Sequence, residues 1–137
     1  MRANRENVGF LLAKASQRWN ELLYERFVAA GFPEVRPAYG SILLPLFEQD
    51  ALRMGELAAR ARLSKQTMTT MVRLLERDGL VRREPDPADG RAFRVHLTAR
   101  ARRFRPVAEA VLAELDSLVP LPRLARLKRD LKGVMEL

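Results

Sequence analysis

The chain has 137 residues, enough for one domain with a real core and short for two. Its 47% hydrophobic and 31% charged residues are ordinary for a globular fold, and no apolar run reaches the roughly 18 residues of a membrane span. The absence of cysteine excludes disulfides, thiolate metal sites and thiol redox sensing, while a net charge of +8 asks for an anionic partner.

Taken in chain order, the pattern is mostly helical. Residues 7–30 carry Val8, Leu11, Leu12, Ala15, Trp19, Leu22, Leu23 and Phe27 at helical spacing, and Gly31 with Pro33 ends that helix. A second helix is expected over residues 36–48, with Pro37 in its first turn and Pro45 imposing a kink or an early end. Leu52 and Arg53 read as a short strand, followed by a helix over residues 54–61 that lacks a Ser, Thr or Asp cap. Ser64 caps the next helix, which Gly79 terminates after Asp78. Strands follow over residues 80–83 and 93–97, joined by a turn that Pro85, Pro87 and the Asp89-Gly90 pair supply. Thr98 caps a long helix to about Leu118, Pro120 and Pro122 break it, and a last helix runs to about Val134.

The charge is not spread evenly. Residues 52–105 hold 14 Lys/Arg against 6 Asp/Glu, whereas the other 83 residues carry 11 of each. All the excess therefore sits on one segment, where it would neutralise phosphates and release their counterions. Within that segment Met68, Met71, Val72 and Leu75 share one helix face and should pack inward. Lys65, Gln66, Thr69, Thr70, Arg73 and Arg77 lie opposite. A run of Gln with three Thr is poor in helix propensity because of the threonines, but it is suited to base edges, since Gln pairs with adenine and Thr bonds a base or touches a thymine methyl. A plain amphipathic surface helix is the alternative. In the hairpin, Arg91 would enter a minor groove or hold phosphate, and Asp89 would brace Arg91 or Arg73. A solvated turn with a trivial surface pair is the competing reading.

The run LAARARLSKQTMTTMVRLLERDGLVRREPDPADGRAFRVHLT resembles the winged helix-turn-helix core of the MarR family of bacterial transcriptional regulators. The resemblance rests on Leu57-Ala58, Leu63 to Thr67, Leu74 to Val81, Asp86 to Arg91 and Leu97-Thr98. It implies a mainly α fold with a small β-wing, in which a single domain over residues 1–137 carries a DNA-reading core at 52–98. Dimerisation helices at 7–30 and 99–135 would flank that core. It further implies a homodimer on double-stranded DNA, with Ser64, Lys65, Gln66, Thr67, Thr69, Thr70 and Arg73 at the major groove and Arg91 at the minor groove. Family members usually repress, and many release DNA when a small phenolic or lipophilic effector binds between the dimer helices and the reading domain. The missing cysteines exclude oxidant sensing by that residue.

Other readings are weaker. Leu121, Leu124, Leu127, Leu131 and Val134 form an apolar stripe that supports a dimer, unless the chain's own first helix covers it. Trp19, Tyr24, Phe27, Tyr39 and Phe47 have the spacing of core residues, with a ligand pocket as the alternative. His96 reads as an ordinary strand residue, and one histidine without cysteine makes a metal site unexpected. No catalytic constellation and no cofactor motif is present, so no enzyme is expected. A sequence-neutral architectural DNA-binding protein would use the same basic surface, but the Gln/Thr face favours base readout. MRANRENVGF lacks the apolar segment of a secretory signal, which with the cysteine count leads us to expect a cytoplasmic protein.

Overall fold

A computed structural model describes residues 3–137. Helix α1 (Val8–Ala29) begins where the Asn7 side chain accepts the Phe10 N–H at 2.9 Å. A single 3-10 turn at Pro37–Tyr39 leads into α2 (Gly40–Glu48), so the expected helix over 36–48 has a tighter first turn. Pro45 does not break α2, which runs on to Glu48 with Gln49 N–H bonded to the Pro45 carbonyl. Burial of Ile42, Leu43 and Leu46 around the proline outweighs the one lost backbone bond.

Strand β1 (Leu52–Arg53), helix α3 (Met54–Ala61), helix α4 (Lys65–Arg77), strand β2 (Val81–Asp86) and strand β3 (Asp89–Leu97) form the middle of the molecule. The antiparallel sheet has the order β1-β3-β2, with Leu52 opposite Val95 and Val81 opposite Leu97. The hairpin strands are longer than the sequence pattern marks, because β2 continues through Pro85 to Asp86. Pro87 and Ala88 make the turn, not Asp89-Gly90. The reason is local: the Asp86 carboxylate accepts the Ala88 N–H at 3.0 Å, and the proline between them presets the bend.

Helix α5 (Ala99–Asp116) buries Ala101, Phe104, Ala108, Val111 and Leu115, a stripe spaced alternately by three and four residues. It packs on α1, where the Phe27 and Phe104 rings meet edge to face at 4.9 Å. Leu57, Met68, Val72, Leu75, Leu80 and Val95 continue the same core into the reading unit, so both parts share one apolar interior. Helix α6 (Leu121–Met135) buries no residue at all. Between it and α1 lies an apolar groove of about 560 Å³ whose walls include Leu11, Trp19, Leu124, Leu127 and Leu131.

Candidate nucleic-acid interface

Helix α4 is anchored from behind. Met68, Val72 and Leu75 are at most 1% exposed, which fixes the helix about its own axis and turns Gln66, Thr70, Arg73 and Arg77 outward. Ser64 starts the helix in extended geometry, accepting the Thr67 N–H at 3.2 Å and donating its own hydroxyl to Thr67 Oγ1 at 3.0 Å. At the far end Gly79 adopts φ +76°, a left-handed conformation that lets Leu80 fold back into the core.

The neighbours of α4 hold it at a set angle. Arg77 bonds Asp78 at 3.1 Å, and the buried Tyr39 hydroxyl donates to the other Asp78 oxygen at 2.5 Å. Arg77 first and Tyr39 second hold the Asp78 carboxyl below the usual carboxylate range. Glu76 reaches β2 by accepting the Arg83 N–H at 3.3 Å and pairing with its guanidinium at 3.2 Å. The preceding helix lacks a conventional cap, as its sequence indicates. There Glu56 accepts the Arg53 N–H, while the Arg53 guanidinium reaches separately to the wing.

Asp86 receives it. This carboxylate is 3% exposed, pairs with Arg53, lies 3.4 Å from Arg94 Nε and accepts the Ala88 N–H. The Ala88 amide, with the two arginines adding to it against desolvation, keeps its pKa lowered. Asp89 has a different task from bracing a guanidinium: its Oδ1 accepts the backbone N–H of Arg91 at 3.0 Å. Either aspartate of DPAD could brace an arginine on sequence grounds. Only the strand register, which turns Asp86 inward and leaves Asp89 exposed, separates them.

The register also explains the exposure of Arg91. Pro85 pairs with Phe93 and Asp86 with Asp89, so Gly90, Arg91 and Ala92 bulge from the ladder without partners on β2. Among the described residues the side chains of Lys65, Gln66, Arg73 and Arg91 make no hydrogen bond or ion pair, and all four are exposed. Ser64, Thr67, Thr69 and Thr70 stand on the same helix with their hydroxyls engaged locally. Pattern reading missed Arg83 and Phe93, which join Lys65 and Thr69 in lining a cleft of about 400 Å³ between α4 and the wing. Their alternation along paired strands signals one shared face, but only once the register is known.

The model of the MarR family matches residues 37–93, which span α2, the reading helices and most of the wing. The HTH-type transcriptional repressor Mb2911 of Mycobacterium bovis is 36% identical over 124 residues, covering 84% of this chain and 88% of that protein. This chain belongs to the MarR family. It shares the fold of CouR of Rhodococcus jostii RHA1, a transcriptional repressor bound to a 23-mer DNA duplex, with a TM-score of 0.78 at 22% identity over 98% of both chains. BpsR of Bordetella bronchiseptica, whose DNA binding is regulated by 6-hydroxynicotinic acid, gives 0.77 at 20% identity over 100% of this chain and 99% of that one. At these identities the two structures establish the winged helix-turn-helix fold and nothing finer. The MarR family is one of transcriptional regulators, not of enzymes. No helix among the described residues is long and apolar enough to cross a membrane.

The aromatic residues divide once the MarR fold is in place. Phe27 and Tyr39 are buried core. Tyr24 donates its hydroxyl to the Pro33 carbonyl at 2.7 Å, and Phe47 lies under Arg105. Trp19 alone of the five lines the groove between α1 and α6. His96 sits opposite Arg82 in the wing with Nε2 3.2 Å from Glu84.

Proposed function

We propose that this protein is a dimeric, sequence-specific transcriptional repressor of a roughly palindromic operator. The reading core at 52–98 is carried between dimerisation helices at 7–30 and 99–135. Each subunit lays α4 in the major groove, using Ser64, Lys65, Gln66, Thr67, Thr69, Thr70 and Arg73, and sets Arg91 in the adjacent minor groove. What carries this reading is that Lys65, Gln66, Arg73 and Arg91, exposed and without side-chain partners among the described residues, stand on α4 and the wing beside it. Free cations on a surface of excess positive charge gain most from phosphate contact.

The dimer is supported by α6. A helix that buries no residue, beside an open apolar groove, needs a second surface to cover Leu11, Leu127 and Leu131, which are 51%, 43% and 40% exposed. A small lipophilic or phenolic effector between the dimer helices and the reading domain would release the DNA by changing the spacing of the two α4 helices. The protein acts in the cytoplasm, takes no cofactor and carries out no catalysis.

Selecting bound duplexes from a random pool, followed by competition with random DNA, tests the whole reading. Two related half-sites about one helical turn apart and a specificity ratio of ~1000 or more are expected. A ratio below about ten would assign the same surface to sequence-neutral DNA coating.

A further inference from the structure

The outward face of α4 is poorer in free hydrogen-bond donors than its composition implies. Thr69 Oγ1 donates to the Lys65 carbonyl at 2.9 Å, and Thr70 Oγ1 donates to the Gln66 carbonyl at 3.1 Å. A hydroxyl has one proton, so a threonine bonded to the preceding turn has none left for guanine N7 or O6 or for thymine O4. With its oxygen held against its own helix, Thr70 offers its γ-methyl as the free branch. Ser64 spends its proton on Thr67 Oγ1 at 3.0 Å, so of these hydroxyls only that of Thr67, in the first turn, keeps a proton. Gln66 lies one turn before Thr70 on the same exposed face, and its amide has no partner among the described residues.

We infer that α4 specifies A·T pairs: Gln66 makes the hydrogen-bonded contact, to adenine N6 and N7, and Thr70 reads the 5-methyl of a nearby thymine. Both groups are presented in the major groove, where A·T pairs alone offer an adenine N6/N7 edge and a methyl. Four residues of helix rise by about 6 Å, so the two contacts fall within about two base-pair steps of each other. Lys65 and Arg73, the other side chains of the helix without partners among the described residues, are left for phosphate or guanine. The inference rests on the DNA-binding reading above and deepens it from a reading surface to a stated base content.

The test starts from duplexes selected by the native protein. Each selected thymine is replaced in turn by uracil, which removes the methyl and keeps every hydrogen-bonding group, and affinity is measured by fluorescence anisotropy. One thymine per half-site is expected to be sensitive, losing about fourfold in affinity, the factor for burying one methyl-sized group. Thr70→Val keeps the methyl and should retain that sensitivity. Thr70→Ser keeps the hydroxyl and should bind thymine and uracil duplexes equally. Specific binding with no uracil-sensitive thymine would overturn the methyl contact and leave the regulator reading intact. Native affinity in Thr70→Ser with loss in Thr70→Val would transfer the contact to the hydroxyl. A protein that selects no duplex removes both readings together. The uracil scan needs only the native protein, so neither variant's folding limits it.

Discussion

The Arg62 guanidinium donates to the backbone carbonyl of Met135 at 2.9 Å, joining the turn ahead of α4 to the last turn of α6. Arg62 itself is left-handed, with φ 56° and ψ 42°, a conformation that costs a residue with a Cβ roughly 1–2 kcal/mol. An exposed charged donor at a helix C-terminus contributes at most about 1 kcal/mol in return. Arg62→Ala keeps the strained backbone and loses the bond, so urea unfolding should show it ~0.5–1 kcal/mol less stable than the native chain. Arg62→Gly relieves the strain and should equal or exceed native stability. Equal stabilities for the two variants would deny the backbone any part.

Asp86 gathers three contacts from separate parts of the reading unit, namely Arg53 before α3, Arg94 on β3 and the Ala88 amide in the turn. Asp86→Ala removes all three at once. Hydrogen exchange across residues 86–93 should speed up, and DNA affinity should fall on every sequence alike. Unchanged exchange in the wing would show that strand pairing alone sets its position.

Arg91 stands in the bulge of β3, exposed and unpartnered among the described residues. Arg91→Ala is expected to weaken binding to all duplexes and to lower the slope of log affinity against log salt by about one. Gln66→Ala should instead relax preference at one position, at a cost of ~1–3 kcal/mol there. A uniform loss from the Gln66 variant would place that side chain on the backbone of the DNA.

Acid should destabilise the fold through the carboxylates whose pKa folding lowers, Asp50, Asp78 and Glu34 among them. Burial pushes Asp50 up, but the N–H groups of Leu97 and Ala51 and the Arg102 guanidinium more than offset it. Asp78 is lowered chiefly by Arg77, and Glu34 chiefly by Arg100. Each folded value lies below the unfolded one, so the stability they supply is complete above the ordinary values of 3.8 for Asp and 4.5 for Glu. It is lost as the pH falls through the lowered values. Urea midpoints at about pH 7 and about pH 3 measure this, and Asp50→Asn should narrow the gap between them.

The groove between α1 and α6 gives the dimer a direct check. Leu11→Lys and Leu127→Lys change exposed side chains, so each subunit should fold, yet sedimentation should shift from dimer toward monomer. Operator binding should fall with the association, because one α4 helix holds only one half-site. A native chain that sediments as a monomer at micromolar concentration would contradict the dimer outright.

The order of the elements was legible in the residues because periodicity and caps are local properties. Ser64 and Thr98 each bond the backbone three residues on, and Gly79 takes the positive φ that its place after a helix implies. The inward face of α4 was equally plain, since Met68, Val72 and Leu75 recur at helical spacing. What pairing across the chain decides was not. Asp86 and Asp89 are the same residue type three apart, and the ladder alone turns one inward beneath two arginines and leaves the other capping an amide. Arg83 and Phe93 meet beside Lys65 only when β2 and β3 are in register. The hydroxyls of Thr69 and Thr70 belong to the same class, because a threonine in a helix chooses between its own backbone and a partner. That choice appears only once the side chains have been placed.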